Sequence, residues 1–188
     1  CQNGTERCAE AVATLAVQGK NFDIVVNLQG DAPLTPAWFV EDLVAGLQAN
    51  PWAELATPVL RCEGEMLASL IEDRRQGRVG GTTAVFGVGN RGIYFSKEVI
   101  PFTAKTYADE AETPVFHHVG VYAYRRAGLD RFVSLPASPL ELREKLEQLR
   151  GLEMGLSYWA AVADEAPISV DNPADLEAAR ACAKDRDA

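Results

Sequence analysis

The sequence predicts an α/β fold built around one sheet of mixed strand direction, and three observations support that prediction. Apolar strand patterns alternate with amphipathic helix patterns over residues 5–73. A Gly- and Val-rich segment at residues 79–96 predicts a β-hairpin that turns at Gly89 and Asn90. A strand and a helix pattern close the chain at residues 166–185. This order is typical of a layered α/β sheet and differs from that of a sandwich or a helical bundle.

Helices are predicted where apolar residues recur at every third or fourth position, as Val12 and Ala16 do on one side of the first helix. The second helix is expected to begin at Thr35 with Pro36 at its first position, which is a favoured capping arrangement. In the long helix near the C-terminus, four residues form the expected buried stripe: Leu142, Leu146, Leu149 and Met154. The predicted helices cover residues 5–17, 35–49, 63–73, 126–134, 140–155 and 172–185.

Strands are predicted where apolar and β-branched residues run between turn-forming residues. In the segment 116–125, His118, Tyr122 and Tyr124 alternate with apolar residues, so they are expected on one face of a single strand. The predicted strands cover residues 23–27, 55–61, 79–89, 92–96, 116–125 and 166–170.

The composition is that of one domain, residues 1–188, with 47% hydrophobic residues, which is ample for a core. The net charge of −9 argues against a nucleic-acid-binding surface. No apolar run reaches membrane-spanning length and no signal peptide is visible, so we expect a cytoplasmic setting without a membrane partner. The four cysteines form no Cys-x-x-Cys pair, which argues against a zinc site.

The chain begins with a helix pattern and without a Met. A complete doubly wound domain normally has a strand and a phosphate-binding turn before such a helix. We therefore expect that an N-terminal portion of the protein is missing from this sequence.

The segment Ile24–Asp31 predicts a buried strand that runs into a Gly turn and ends in the carboxylate of Asp31. In open α/β sheets, ligands bind at the carboxyl ends of the strands. A carboxylate beside substrate phosphates suits Mg²⁺, which prefers oxygen ligands. The alternative is that Gly30 and Asp31 only form a turn, because both residue types favour turns.

Asp171 follows the predicted strand 166–170, so it also lies at the carboxyl end of a strand. Two such carboxylates in one sheet could bind a single metal ion that bridges phosphate oxygens. The alternative is that Asp171 caps the following helix, a position that Asp favours.

Two further segments are candidates for binding. The stretch Gly4–Arg7 opens a helix, where free backbone N–H groups favour anions and Arg7 adds positive charge. The alternative is that Thr5 caps this helix. His118 and Tyr122 share one strand face, and the alternative for them is a half-buried face with polar tips at the surface.

These segments, in this order, resemble the CMP-Kdo synthetases, the 3-deoxy-manno-octulosonate cytidylyltransferases. The resemblance spans nearly the whole chain and rests on six stretches: Gly4 to Arg7, Val26 to Asp31 with Pro33, Tyr94 to Ser96 with Ile100 and Pro101, His118 to Arg125, Ser138 to Glu141 with Leu146 to Arg150, and Val170 to Asp171 with Pro173, Asp175 and Leu176.

The resemblance implies a nucleotide-diphospho-sugar transferase fold, Rossmann-like, with a mixed and mostly parallel sheet. It also implies a hairpin-like dimerisation insertion at about residues 79–135 and a cytoplasmic homodimer. The implied reaction condenses CTP with Kdo, releases pyrophosphate and gives CMP-Kdo for lipopolysaccharide biosynthesis. The magnesium ligands and catalytic residues that it implies are Asp31 and Asp171. The other implied contacts are Gln2, Asn3, Gly4 and Arg7 with the nucleotide, Gln29 with nucleotide and sugar, and His118, Tyr122, Glu147 and Gln148 with the sugar acid.

The sequence departs from this family's pattern in three ways. The N-terminal strand and its Arg- and Lys-containing phosphate loop are absent, so this polypeptide alone is expected to be inactive. Cys1 and Asn3 stand where the family usually has His and Ser, and Thr83 stands where a Lys is common. Two alternatives remain: a cytidylyltransferase for another acidic sugar, such as 8-amino-Kdo or a sialic acid, and a non-catalytic binding or dimerisation remnant of the fold.

Overall fold

The computed structural model describes residues 3–103, 113–164, 170 and 173–186. Its helices are α1 (Gly4–Val17), α2 (Ala37–Ala49), α3 (Gly64–Arg75), α4 (Arg126–Ser134), α5 (Pro139–Glu144), α6 (Gln148–Glu153) and α7 (Pro173–Arg186). Its strands are β1 (Ile24–Asn27), β2 (Leu55–Arg61), β3 (Thr83–Phe86), β4 (Gly92–Ser96), β5 (Phe116–His118), β6 (Tyr122–Arg125) and β7 (Tyr158–Ala163).

The strands form one sheet around β2 in the order β1-β6-β2-β5-β3-β4, and β7 pairs with the other edge of β2. The prediction of an α/β sheet of mixed direction is confirmed. The expectation of a mostly parallel sheet is wrong for the described strands, since only β2 and β7 pair in parallel. The reason is that β6 pairs antiparallel with β1 and β2, β5 with β2 and β3, and β3 with β4 as in the predicted hairpin.

The expected single strand at residues 116–125 is two strands, β5 and β6, which pair with different parts of β2. Thr57, in the middle of β2, explains the break. Its hydroxyl lies 2.9 Å from the carbonyl oxygen of Val121 and 2.8 Å from Nε2 of His118, so it takes the place of ladder hydrogen bonds. The gap opens the sheet surface between His118 and Tyr122.

The expected single helix at residues 140–155 is also wrong, because α5 ends at Glu144 and Lys145 adopts a left-handed conformation with φ 55° and ψ 46°. The carboxylate of Glu144 accepts hydrogen bonds from Ser96 Oγ at 2.8 Å and from the backbone N–H of Lys97 at 3.0 Å, which ties α5 to β4. Of the expected buried stripe, Leu149 is fully buried, but Leu142 is 67% exposed because the chain turns after α5.

Two helix starts differ from the predictions. The α2 helix begins at Ala37, and the hydroxyl of Thr35 donates to the carbonyl oxygen of Ala32 instead of capping the helix. Thr5 does not cap α1 either. Asn3 does so, since its side-chain oxygen accepts the backbone N–H of Glu6 at 2.8 Å.

The core lies on both faces of the sheet. One cluster, which includes Leu55, Tyr124 and Leu149, lies beneath α4 and α6, and the other, which includes Leu43 and Ala123, lies beneath α2. Strand β7 was not predicted, and the predicted strand 166–170 lies outside the described residues except for Val170. Among the residues described, no helix has both the length and the apolar content to cross a membrane.

Candidate active site

Two clefts meet at the turn that follows β1. Strand β1 ends at Asn27, which pairs with Tyr122 of β6, and the turn places Gln29 and Asp31 beyond the edge of the sheet. Both residues line both clefts. The α1 cleft, of about 450 Å³, lies beside the start of α1, and the β5–β6 cleft, of about 740 Å³, lies over the break between β5 and β6.

The α1 cleft is lined by Gly4, Arg7 and Asn27 as well as by the shared residues. A side chain at position 4 would have its Cβ only 3.1 Å from Nδ2 of Asn27 and 3.7 Å from Nη2 of Arg7, so glycine allows these groups to approach the helix start. The Nδ2 group of Asn27 is buried and has no hydrogen-bond partner among the described residues. The positive end of a helix, a guanidinium and a free amide donor together favour an anionic ligand.

The β5–β6 cleft contains the predicted His118, Tyr122 and Gln148. His118 and Tyr122 flank the break in the sheet, and Gln148 lies at the start of α6 on the wall of the same cleft. The ring centroids of His118 and Tyr122 are 5.4 Å apart, and this contact confirms that the two residues share a face. The lining also includes five small residues, which leave room for a ligand: Ala32, Gly80, Gly81, Thr82 and Gly120.

The geometry around His118 fixes its protonation. Burial, the largest influence, and the neighbouring His117 together lower the pKa of His118 to about 3, so the ring is neutral near pH 7. The single proton of the Thr57 hydroxyl serves the carbonyl oxygen of Val121, so Nε2 of His118 carries the proton donated to Thr57. Nδ1 is then a hydrogen-bond acceptor, and no described residue occupies it.

Tyr122 and Gln148 complete the neutral wall of this cleft. Burial raises the pKa of Tyr122 well above its usual value, so the phenol keeps its proton. Gln148 is the first residue of α6, and its backbone carbonyl accepts the hydroxyl of Tyr158 at 2.8 Å. His118, Tyr122 and Gln148 therefore offer uncharged hydrogen-bond donors and acceptors, which suit a polyhydroxylated ligand.

Glu147 does not line the β5–β6 cleft in the described structure. Its Oε1 accepts a hydrogen bond from the hydroxyl of Thr5 at 2.8 Å, and the Thr5 oxygen lies 2.9 Å from the hydroxyl of Tyr124. Oε2 of Glu147 is buried and without a partner among the described residues. Burial, the largest influence, raises the pKa of Glu147, while the Thr5 hydroxyl and Arg150 lower it. Arg150 forms its ion pair with Glu141, at 2.8 Å, and not with Glu147.

Asp31 is exposed, and its carboxylate has no ion-pair or hydrogen-bond partner among the described residues. Its backbone carbonyl accepts the N–H of Val170 at 2.7 Å, so the residue that precedes Asp171 in the sequence lies beside Asp31. Asp171 itself and Gln2 lie outside the described residues. Within the described part of the chain, no three His, Cys, Asp or Glu side chains gather as a metal site. A free carboxylate with open surroundings fits Mg²⁺, which keeps several waters and phosphate oxygens as ligands.

Sequence reasoning missed Asn27 and Lys145, which line these clefts, and Thr57, which is hydrogen-bonded to His118. Asn27 could have been found, since it directly precedes the turn with Asp31. Thr57 and Lys145 carry no local signal, because their roles depend on strands and helices that meet only in the fold.

A mixed sheet with a free carboxylate shared by an anion-favouring cleft and an adjoining polar cleft is the arrangement expected of a class of protein that holds two small ligands side by side. The comparisons with known proteins agree with that class. The family model for cytidylyltransferases matches residues 1–160. The chain belongs to the cytidylyltransferase family.

The relatives are more specific. The chain is 42% identical to a 3-deoxy-manno-octulosonate cytidylyltransferase of Maricaulis maris, over 93% of this chain and 66% of the relative. It is also 42% identical to the enzyme of that name from Paramagnetospirillum magneticum, over 97% of this chain and 69% of the relative. The structure resembles that of a CMP:2-keto-3-deoxy-manno-octonic acid synthetase complexed with CTP, with a TM-score of 0.81 and 29% identity, over 99% of this chain and 70% of the other. The chain therefore spans about two thirds of the length of these relatives.

Proposed function

We propose that the protein containing this chain is a nucleotidyltransferase that activates Kdo with CTP, forming CMP-Kdo and pyrophosphate for lipopolysaccharide biosynthesis. The observation that carries the proposal is the position of Asp31 and Gln29, which line both clefts. A reaction that joins two substrates needs both of them at one point, and holding them there supplies much of the rate enhancement.

In this proposal the α1 cleft binds the nucleotide. Gly4 and Arg7 lie at the helix start, where backbone N–H groups and the guanidinium suit phosphate oxygens. Asn3 and Gln2 are the further nucleotide contacts implied by the resemblance. The side chain of Asn3 is already engaged with Glu6 and its carbonyl oxygen accepts the N–H of Arg7, so its backbone N–H is the group proposed for the ligand.

The β5–β6 cleft binds the sugar acid. His118 accepts through Nδ1, while Tyr122 and Gln148 can each donate and accept, so hydroxyl groups of a sugar find partners of both kinds. Glu147 is proposed as a further sugar contact. Its unpartnered Oε2 supports a polar role, and its bond to Thr5 places it between the two clefts.

Asp31, together with Asp171, is proposed to hold Mg²⁺. The free carboxylate of Asp31 and its contact with Val170 support this pair. When bound, the metal ion would supply charge that stabilises the phosphate oxygens as pyrophosphate leaves.

The chain's own side chains bind and orient the substrates, and they form no covalent intermediate. Burial, the largest influence, raises the pKa of Cys8 in the α1 cleft, so its thiol keeps its proton and is a weak nucleophile. His118 is a weak base because its ring stays neutral down to low pH. Direct attack of the sugar hydroxyl on the nucleotide is therefore the step that this geometry serves.

The test measures pyrophosphate release from CTP by the full-length gene product, with Kdo, 8-amino-Kdo and a sialic acid in parallel. Release with Kdo at the highest kcat/KM supports the proposal. A higher kcat/KM with another acidic sugar would support the proposed type of reaction but reject Kdo as the substrate. Calorimetry with CTP and Mg²⁺ addresses the second alternative, because a non-catalytic remnant would give neither heat nor product.

Substitution of the shared carboxylate gives a sharper test. Asp31→Asn is expected to lower kcat at least about a hundredfold and to leave the unfolding midpoint unchanged, because the charge acts where charge develops in the reaction. Asp23→Asn, at the opposite end of β1, is the matched control and should retain the full rate. Equal rates for Asp31→Asn and Asp23→Asn would reject the role of Asp31.

We also propose a cytoplasmic homodimer in which residues 79–135 contribute the interface. Three apolar side chains in this range support it, since Val88, Ile93 and Phe102 are 97%, 59% and 88% exposed. Sedimentation equilibrium distinguishes a dimer from a monomer, and a monomer at micromolar concentration would reject this part of the proposal.

A further inference from the structure

The β5–β6 cleft contains few charged groups for a site that binds an acid. Among its described lining residues, only Asp31 and Lys145 carry a full charge, because desolvation lowers the pKa of the partly buried His117 and of the buried His118 and keeps both rings neutral. Asp31 would repel a carboxylate. Lys145 is therefore the one cation that this described wall presents to an anionic ligand.

The ammonium of Lys145 is available to a ligand, because the carboxylates of the neighbouring residues bind other groups. Glu144 accepts from Ser96 and from the backbone of Lys97, and Glu147 accepts from Thr5. The Lys145 side chain is exposed and forms no hydrogen bond or ion pair with the residues described.

The backbone of Lys145 gives a second, independent observation. Its φ of 55° and ψ of 46° lie in the left-handed region, which glycine and asparagine adopt more readily than lysine does. At a helix end with this conformation, glycine would make the folded protein more stable than lysine does. Such conformations recur at ligand-binding positions, where the side chain is needed in spite of the strain.

Other cations near the cleft are committed or directed away from it. Arg150 is paired with Glu141, with both side chains largely buried. Arg143 lies on α5 and lines a separate surface depression without reaching the β5–β6 cleft, although Lys145 lines both. Arg7 lines the α1 cleft.

We propose that the Lys145 ammonium pairs with the carboxylate of the acidic sugar in the β5–β6 cleft and so makes this site select acids over neutral sugars. This inference rests on the proposed function, because it assigns the sugar to this cleft. The pair forms at the exposed rim, so its contribution is smaller than that of a buried ion pair.

The experiment compares Kdo with its methyl ester, which keeps the hydroxyl groups and lacks the charge, in the full-length gene product. Lys145→Gln is expected to raise the KM for Kdo about tenfold, with the KM for CTP within about twofold of wild type. The preference of the wild type for Kdo over the methyl ester should shrink by the same factor. Lys145→Arg should retain most of the preference, because it retains the charge.

Two further variants distinguish a loss of sugar binding from a loss of folding stability and from a general change in the electrostatic potential of the surface. Lys145→Asn suits the left-handed backbone, so it should melt at the wild-type temperature or above and still lose the preference. Arg143→Gln removes the same charge from the neighbouring surface and should leave the preference intact. The assignment of Lys145 would be wrong if Lys145→Gln left the KM for Kdo unchanged, or if Arg143→Gln raised it equally. In either case, product formation by the wild type would still support the proposed function. A wild type that forms no product from any acidic sugar would reject both.

Discussion

A buried chain of hydrogen bonds connects α1 to α6, and its direction can be tested. The hydroxyl of Thr5 donates to Oε1 of Glu147 at 2.8 Å, and the Tyr124 hydroxyl lies 2.9 Å from the same Thr5 oxygen. Because a hydroxyl has one proton, Thr5 can donate only once, so Tyr124 donates to Thr5. Glu147 is the final acceptor of the chain.

Thr5→Val removes the middle of this chain with little change in shape. Thr5 is fully buried, so water cannot replace its hydroxyl. The substitution leaves the Tyr124 donor without an acceptor and Oε1 of Glu147 without a donor, and each loss costs about 1–3 kcal/mol. We expect the free energy of unfolding to fall by about 3 kcal/mol. Tyr124→Phe removes only the first donor, and we expect a loss of about 1 kcal/mol.

Urea denaturation measures the difference. With a slope of about 2 kcal/mol per molar urea, the midpoint should fall by about 1.5 M in Thr5→Val and about 0.5 M in Tyr124→Phe. Thr5→Ser keeps the hydroxyl and controls for the lost methyl group, so most of the stability should remain. If Tyr124→Phe cost as much as Thr5→Val, the assigned direction of the hydrogen bonds would be wrong.

The same substitution should depend on pH with a definite sign. The pKa of Glu147 in the folded protein is raised above its ordinary value of 4.5, chiefly by burial, and the Thr5 hydroxyl opposes this by stabilising the ionised form. Because the folded protein binds this proton more tightly than the unfolded chain does, Glu147 contributes to the free energy of unfolding below pH 4.5. That contribution is lost as the pH rises through the folded pKa. Thr5→Val raises that pKa further, so its penalty should be smaller at pH 4 than at pH 7. An equal penalty at both values would mean that Glu147 is not the acceptor that loses a partner.

Two other predictions concern the cleft wall and the core. The pKa of His118 is lowered to about 3, so its ring NMR signals should not titrate between pH 5 and pH 8. The contribution of the neutral ring to the free energy of unfolding is present above about pH 6.5 and is lost as the pH falls towards 3. From this group alone, the protein should be about 2 kcal/mol less stable at pH 5 than above pH 7. A midpoint near 6.5 for His118 would contradict its burial. In the core, a Cβ on Gly46 would lie 1.9 Å from the Trp159 ring, so Gly46→Ala should lower the free energy of unfolding by about 2–3 kcal/mol, whereas Ala45→Ser at the adjacent exposed position should change it by less than about 0.5 kcal/mol. Similar losses in the two variants, measured by urea denaturation, would show that the helix tolerates the clash.

Elements whose signals are local could be predicted closely. Strand β2 and helix α4 have the predicted bounds, residues 55–61 and 126–134, because their apolar patterns and turn residues lie within the segment itself. The hairpin of β3 and β4 is likewise a local signal. The family could also be predicted, since the six matching stretches are spread over nearly the whole chain.

Features that depend on distant partners could not be predicted. The break at Lys145 lies in a run of good helix formers, and what interrupts the helix is the attachment of Glu144 to β4. The antiparallel direction of the sheet follows from pairing between strands far apart in the chain, which alternation alone does not specify. Strand β7 was missed because its parallel partner, β2, lies a hundred residues or so earlier in the chain.

The contact between Thr5 and Glu147, which are 142 positions apart, has a consequence for the site as a whole. Thr5 directly follows Gly4, which lines the α1 cleft, and Glu147 directly precedes Gln148, which lines the β5–β6 cleft. One hydrogen bond therefore connects the start of α1, beside one cleft, with the residue that precedes α6, beside the other. The hydroxyl of Tyr124 also donates to Thr5, and these two hydrogen bonds hold the two clefts in a fixed relation to each other. Two substrates that react directly, without a covalent intermediate on the protein, require such a fixed relation.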